Sequence, residues 1–392
     1  MNLQERIDRR RSTRHERRVV TDRDYLSPVV HRSEPIGRGS ILEQLLDALE
    51  PVFDGELPPP VAVVGPAGSG TSAIVVALFD ALNDQFGGSR RAIRTTTRAG
   101  RTEPVTWFVV VDGRHVESSF AFYRAVLDGI SSDRIPDSGV GTDELRERLC
   151  DRLARPDRRA IVAIDHHDEP ETLDAQRARD LLAPVADSVA TVAVGQREPD
   201  DYRGTTVSVP AYRDHELVDV ITDRASNGLA AGAIDHEAIR ELATWANGNA
   251  HDALASLFGA AILASEDDAD RIEPHHLESA RADVPEDSVH VGRPLALSET
   301  RQGVLLALGR IDATGSPIRE IAAAIADRSS LTAGTVKRFL YELADEGSIE
   351  RIPLSSDDTS SGRQPSTVEL RFPSIAFRSL ATTTLPDGDG VT

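Results

Sequence analysis

Short β-branched runs alternate with amphipathic stretches over the first half of the chain. Apolar runs predict strands over residues 61–64, 105–111, 160–164, 188–194 and 206–209. Between them, apolar positions at three- and four-residue spacing predict helices over residues 40–52, 73–82, 118–130 and 142–153. Strands that alternate with helices indicate a parallel sheet covered on both faces, and therefore an α/β fold.

The second half of the chain changes pattern after Pro210, where the strand-like runs stop. Four helical patterns follow, over residues 214–225, 235–246, 250–264 and 274–282. A charged linker at 283–294 leads to three more helical patterns, at 298–308, 318–326 and 332–346, and two strand-like segments, at 348–352 and 367–372. Three helices followed by a β-hairpin is the element order of a winged helix.

These patterns divide the chain into five parts. We expect an Arg-rich flexible arm over residues 1–33 and a P-loop domain over 34–210. We expect a helical domain over 211–285, a winged-helix DNA-binding domain over 295–381 and a disordered tail over 382–392.

A glycine-rich loop follows the first strand and leads into a helix. Its sequence, GPAGSGTS over residues 65–72, fits the P-loop pattern GxxxxGK[ST] except that Thr71 stands in the lysine position. Successive backbone N–H groups of such a loop point at one anion, and the helix N-terminus adds its positive dipole end. The residues predicted to bind nucleotide phosphates are Gly65, Gly68, Ser69, Gly70, Thr71 and Ser72.

A second nucleotide element is expected at the end of an apolar strand, where a carboxylate holds Mg²⁺. The run Ala160–Ile164 ends in Asp165, so Asp165 and the Ser72 hydroxyl are the predicted Mg²⁺ ligands when nucleotide is bound. His166 stands where an acid would polarise the attacking water. The histidines at 166–167 and 275–276 could suggest a metal cluster, but adjacent side chains diverge, so we interpret both as solvated segments.

Composition and charge restrict the class of protein. The 392 residues carry a net charge of −20, with 43 Arg and one Lys, a balance typical of proteins from a high-salt cytoplasm or a high-GC genome. The single Cys150 excludes an intrachain disulfide, and no apolar run is long enough to cross a bilayer. We therefore expect a cytoplasmic protein without membrane contact. Residues 1–20 carry a net charge of +4 and residues 295–381 a net charge of −1, so both are much less acidic than the rest of the chain. We therefore expect a polyanion to bind at these two segments.

The third helix of the C-terminal module has the pattern of a DNA-reading helix. Its apolar residues at 336, 339, 340 and 343 form one stripe, which leaves the polar residues facing outward. A loop between the two final strands would act as the wing. The residues predicted to contact duplex DNA are Thr335, Lys337, Arg338 and Tyr341 on the helix and Arg363 in the wing loop. A winged helix used for protein contacts remains the alternative.

Together, these motifs resemble the archaeal origin-recognition and Cdc-type replication initiators, and in composition their haloarchaeal members. These are AAA+ proteins with a helical lid and a C-terminal winged helix. The matching segments are residues 36–38, 65–72, 161–165, 217–224, 248–254 and the winged module. Their order and spacing are more specific than any single motif.

The resemblance implies ATP or ADP as ligand, with Mg²⁺, and adds Gly37, Arg38 and His251 as nucleotide contacts. It also implies duplex origin DNA, other initiator subunits and the replicative helicase as partners. Four positions depart from the family pattern, and all four weaken the nucleotide site: Thr71, His166, His251, and Gln196 or Gly195 in place of the usual polar sensor. We therefore expect a DNA-binding initiator-like protein with weak or absent ATP hydrolysis. An active ATPase or helicase loader with a non-standard P-loop is one alternative, and a transcriptional or plasmid-maintenance regulator is another.

Overall fold

The computed structural model describes residues 18–87, 105–131, 135–136, 139–311, 315–354 and 365–381. The chain forms two compact units. The first comprises residues 31–212, and the second combines residues 213–392 with the segment before His31. None of the described helices is long and apolar enough to cross a membrane.

The first unit is built on a five-stranded sheet in the order β2-β3-β4-β1-β5, in which all paired strands are parallel. Each predicted strand is present, with ends within two residues of the expected positions. The strands are β1 (Val61–Val64), β2 (Val105–Asp112), β3 (Arg158–Asp165), β4 (Val189–Gly195) and β5 (Thr205–Ser208).

Helices cover both faces of this sheet, as the alternation of patterns predicts. They are α2 (Gly39–Ala48), α3 (Thr71–Gly87), α4 (Ser119–Ile130), α5 (Thr142–Leu153) and α6 (Ala175–Leu182). Along β3, Ile161 and Ala163 face the core beneath α2 and α3, whereas Val162 and Ile164 face the core beneath α4 and α5. A parallel sheet buried on both faces requires such continuous apolar strands.

The second unit contains the helical domain and the C-terminal module. Its helices are α1 (Arg23–Leu26), α7 (Asp214–Gly228), α8 (His236–Trp245), α9 (Ala250–Glu266), α10 (Pro274–Ala282), α11 (Gly292–Leu295), α12 (Glu299–Leu308), α13 (Ile318–Ala326), α14 (Ala333–Glu346) and α15 (Ser374–Leu380). An antiparallel pair, β6 (Ile349–Pro353) and β7 (Ser366–Leu370), follows α14. Three helices and a hairpin therefore appear in the order predicted for a winged helix.

The flexible arm predicted over residues 1–33 is wrong for its described part. Residues 18–30 pack on the helical domain, where Val20 forms a β-bridge with Leu229. The buried guanidinium of Arg224 donates to the carbonyl oxygens of Tyr25 and Val30 at 2.9 and 2.8 Å. A charged side chain in α7 that binds carbonyls almost 200 residues away is invisible to local pattern analysis. Residues 1–17 of the arm and the tail 382–392 lie outside the described residues.

Candidate nucleotide site and nucleic-acid interface

The loop between β1 and α3 has the backbone geometry of a phosphate cradle. Gly68 and Gly70 have φ of 69° and 90°, a region that side chains disfavour. At Gly65 any side chain is excluded, because an added Cβ would lie 2.4 Å from the carbonyl oxygen of Val209. Thr71 begins α3, so the missing lysine would stand at the first residue of that helix.

Ser69 is fully buried, and its hydroxyl oxygen has no hydrogen-bond partner among the described residues. A buried polar atom without a partner is unfavourable unless a ligand or water satisfies it. The loop therefore still fits a diphosphate, although its lysine is absent.

The predicted nucleotide residue Arg38 has a structural role. Its side chain is 1 % exposed and donates to the carbonyl oxygens of Ser69 and Pro210 at 3.0 and 2.9 Å. Its guanidinium carbon lies 3.4 Å from the ring centroid of Tyr212. Gly37, with φ of 72°, makes the turn that precedes it. Through Nε and Nη2, Arg38 therefore links the P-loop to the chain segment that follows β5.

Tyr212 is a site residue that the sequence analysis missed. Its hydroxyl oxygen lies 3.0 Å from the position that a Cβ on Gly70 would occupy, so the phenol borders the P-loop directly. No pattern along the chain marks it, because it stands alone in a polar segment after the last strand.

Asp165 lies where the predicted Mg²⁺ ligand should be. Its Oδ1 accepts hydrogen bonds from the Ser72 hydroxyl and from the backbone N–H of His166, each at 3.0 Å. The two predicted metal ligands are thus already adjacent, which fits the oxygen donors that Mg²⁺ prefers.

His166 points to a second carboxylate rather than to an open water position. Its Nδ1 lies 2.9 Å from Oδ1 of Asp112 at the end of β2 and 3.7 Å from Oδ2 of Asp165. Burial opposes charge on His166, but the charge of Asp165 and the hydrogen bond with Asp112 raise the pKa of its imidazole above the ordinary value. Burial likewise opposes charge on Asp112, yet the hydrogen bond and charge of His166 lower the pKa of this carboxyl to about 2. His166 is therefore favoured as a cation, whereas polarising water requires a proton acceptor.

His251, predicted to contact nucleotide, is buried inside the second unit. Its Nε2 accepts the backbone N–H of Val291 at 3.0 Å, and its Nδ1 lies 3.0 Å from Oδ1 of Asp252. The ring also stacks on His290, with centroids 4.2 Å apart. Both ring nitrogens have hydrogen-bond partners within the protein, so the structure contradicts a nucleotide contact. His251 instead connects α9 to the linker.

The outer face of α14 carries the predicted DNA-contacting residues that are described. Lys337 and Arg338 are exposed, while Thr335 is half-buried beside the N-cap Thr332. Tyr341 is half-buried, and the guanidinium carbon of Arg351 from β6 lies 4.8 Å from its ring centroid. Arg363 lies outside the described residues.

One group of the described residues has metal-ligand spacing. Asp267, His275 and His276 bring ligand atoms within 4.8 Å of one another, so adjacent histidines here converge, contrary to our expectation. However, Nδ1 of His276 accepts the backbone N–H of Glu273 at 3.0 Å, which places its proton on Nε2, facing Asp267. This group therefore caps the N-terminus of α10 through hydrogen bonds, and a metal bound by all three residues would have to displace the proton between His276 and Asp267.

Two family models match the chain in succession. An AAA ATPase domain matches residues 34–193, and a Cdc6 AAA+ ATPase-type lid domain matches residues 218–282. The chain thus contains an AAA ATPase domain followed by a Cdc6-type lid domain, as the Cdc6/ORC1-type AAA+ ATPases do. This confirms the resemblance, and with it the AAA+ fold and the assignment of the helical domain as a lid.

Relatives and solved structures agree with this assignment. The chain is 25 % identical over 315 residues to the ORC1-type DNA replication protein 1 of Aeropyrum pernix, covering 75 % of this chain and 74 % of the relative. It is 24 % identical over 283 residues to the ORC1-type DNA replication protein 8 of Halobacterium salinarum, covering 67 % and 68 %. In fold it is similar to the Aeropyrum pernix ORC1 protein in complex with DNA, with a TM-score of 0.62, 22 % identity and coverage of 92 % and 96 %.

Proposed function

We propose that this protein is a DNA-binding initiator of the ORC1/Cdc6 type, with its AAA+ body serving mainly as a scaffold. The C-terminal module binds duplex DNA through the outer face of α14. The nucleotide site binds ATP or ADP weakly, and hydrolysis is negligible. The protein acts in the cytoplasm.

The observation that carries this proposal is the arrangement of α14. Val336, Leu340 and Leu343 are buried, which turns Lys337 and Arg338 outward on a helix long enough to enter a major groove. The one lysine of an Arg-rich chain stands on this face. The DNA-bound state of the Aeropyrum pernix ORC1 structure supports the same partner.

The nucleotide part of the proposal rests on the loop between β1 and α3. The glycine backbone and Ser72 remain, and the hydrogen bond from the Ser72 hydroxyl to Asp165 supports a Mg²⁺ site at these two side chains. The lost lysine would have supplied a charge-assisted contact with the phosphates, and His166 is a poor substitute for the acid that polarises water. Nucleotide therefore binds through the backbone and Ser72 without efficient turnover.

Other initiator subunits and the replicative helicase are the proposed protein partners. The relatives named for ORC1-type replication support this direction. The Arg-rich segment before residue 18 provides a second basic region for DNA in an otherwise acidic chain. A role at promoters would use the same DNA surface and is distinguished by mapping its binding positions on chromatin.

The test is duplex binding by the full chain, measured by fluorescence anisotropy across a range of KCl concentrations. Arg338→Ala should cost about 1–3 kcal/mol, with a loss that differs between duplex sequences if Arg338 reads a base. Arg240→Ala, which removes an exposed arginine from lid helix α8, is the matched control and should leave affinity unchanged. Equal effects of the two substitutions, or no duplex binding by the natural chain, would refute the assignment.

A further inference from the structure

The outer face of α14 contains a carboxylate that engages two arginines at once. Oε2 of Glu342 accepts a hydrogen bond from Arg301 of α12 at 2.9 Å. Oε1 of the same side chain lies 3.5 Å from Nε of Arg338, one helical turn earlier on α14. Each oxygen of Glu342 therefore has its own guanidinium.

Phe339 completes this cluster. The guanidinium carbons of Arg301 and Arg338 lie 5.8 and 5.3 Å from its ring centroid, within the range of cation–π attraction. The aromatic ring and the carboxylate together hold both cations on the surface of the module. Arg301 thereby belongs to the DNA-facing surface, although it stands on another helix and the sequence pattern does not mark it.

The cluster remains open to solvent, so its ion pairs can exchange. The side chains of Arg338, Glu342 and Arg301 are 66 %, 39 % and 33 % exposed. Exposed pairs of this kind are weak and are screened by salt. A DNA phosphate offers the same bidentate partner to a guanidinium that a carboxylate does.

The negative charge of Glu342 would also repel a phosphate that approaches this face. Lys337 makes no ion pair in the described part of the chain, so it is the cation available without exchange. A duplex held only by charge must therefore displace Glu342 from two arginines before it gains their contacts.

We propose that Glu342 is an internal competitor of DNA phosphate, and that Arg301 is a DNA contact released together with Arg338. This inference rests on the proposed function of α14. By holding both arginines, Glu342 lowers charge-driven binding to any duplex. A sequence that offers good base contacts to α14 offsets this penalty, so the competitor favours specific sites over random DNA.

The experiment compares Glu342→Gln with Asp345→Asn in the full chain, with a duplex of random sequence as probe. Both changes remove one negative charge from the exposed side of α14, but Asp345 makes no ion pair among the described residues. Affinity is measured against KCl concentration, and unfolding curves in the same buffers show that each variant is folded.

Glu342→Gln should bind several-fold more tightly than Asp345→Asn at low salt. Its plot of log affinity against log salt should be steeper than that of the natural chain by about 1–2, because one or two more phosphates are neutralised. Binding of the random duplex by the Gln variant at a KCl concentration where the natural chain has already released it would support the inference equally.

Equal gains in the two variants, or weaker binding by Glu342→Gln, would overturn the inference while leaving DNA binding itself intact. If the natural chain and both variants are folded but none of them binds duplex DNA, the proposed function is refuted, and the inference with it.

Discussion

The hydroxyl of Ser72 donates to Oδ1 of Asp165 at 3.0 Å, which joins the start of α3 to the end of β3. These two residues belong to segments that are 93 positions apart in the chain. Their contact brings the two proposed metal ligands side by side, even though Thr71 replaces the phosphate-binding lysine next to Ser72. Loss of charge, rather than loss of shape, therefore distinguishes this site.

Restoring the charge should restore affinity. Thr71→Lys should tighten ADP binding in the presence of Mg²⁺, because the glycine backbone is already folded and only the cation is absent. A charge-assisted hydrogen bond is worth about 1.5–3 kcal/mol, which corresponds to about 10- to 100-fold in affinity. Calorimetric titration measures this, with Thr71→Met as an uncharged control of similar length. Unchanged or weaker binding in the Lys variant would show that the loop does not work as a P-loop.

Hydrolysis should not return with the lysine. His166 is held by Asp112 and favoured as a cation, so it is a poor acceptor for a proton from water. We expect ATP turnover by the natural chain and by Thr71→Lys to stay at the level of Asp165→Asn, in a phosphate-release assay. Turnover that is clearly above this control, and is lost in Asp165→Asn, would show a working ATPase.

Much of this architecture could be predicted because its signals are local. The apolar strands, the glycine loop and the acid that ends β3 can each be recognised from a stretch of about ten residues. The exposed face of α14 followed from one helical stripe, and the buried residues Val336, Leu340 and Leu343 confirm the orientation. Phe339, the fourth residue of the stripe, is only half-buried and lies beside two surface arginines.

The roles of Arg38 and His251 could not be predicted, because they depend on distant partners. Arg38 binds a carbonyl 172 positions away, and His251 accepts an N–H 40 positions away. A polar residue near a nucleotide motif suggests a ligand contact, but both side chains instead form hydrogen bonds with backbone groups of the protein. The helix α15 escaped prediction because it is short, and its Ser374 and Ile375 are anchored by Asp283 rather than by their own neighbours.

Removing the Arg38 side chain should destabilise the first unit. Arg38→Ala loses two hydrogen bonds to carbonyl oxygens and the stacking on Tyr212, which together predict a loss of about 2–4 kcal/mol in the free energy of unfolding. Denaturant unfolding measures it. Arg213→Ala, at a side chain 76 % exposed, should change stability by less than about 0.5 kcal/mol. Equal effects at the two positions would contradict the structural role of Arg38.

Substitution of His251 should lower the stability of the protein without changing its affinity for nucleotide. His251→Ala leaves the N–H of Val291, a fully buried residue, without its acceptor, which costs about 1–3 kcal/mol. The variant should bind ADP as the natural chain does under conditions where both are folded. His275→Ala, at an exposed ring, is the control for loss of an imidazole. A fall in ADP affinity without a change in unfolding would restore the nucleotide role to His251.

The pair of His166 and Asp112 should make stability depend on pH in two directions. Because the pKa of His166 is raised in the folded protein, its stabilisation is complete below the unfolded value of about 6.5 and is lost as pH rises through the folded value. Because the pKa of Asp112 is lowered to about 2, its stabilisation is present above its ordinary value and is lost as pH falls toward 2.

The free energy of unfolding should therefore decline as pH rises above about 6.5, and this decline should be shallower in Asp112→Asn. The asparagine variant keeps the attraction of Asp165 for His166 but loses that of Asp112. Denaturant titrations over a pH series, with His236→Gln as an exposed-histidine control, measure the difference. The free energy of unfolding could instead fall with the same slope in the natural chain, in Asp112→Asn and in the control. In that case His166 and Asp112 are not coupled, and another group sets the loss of stability at high pH.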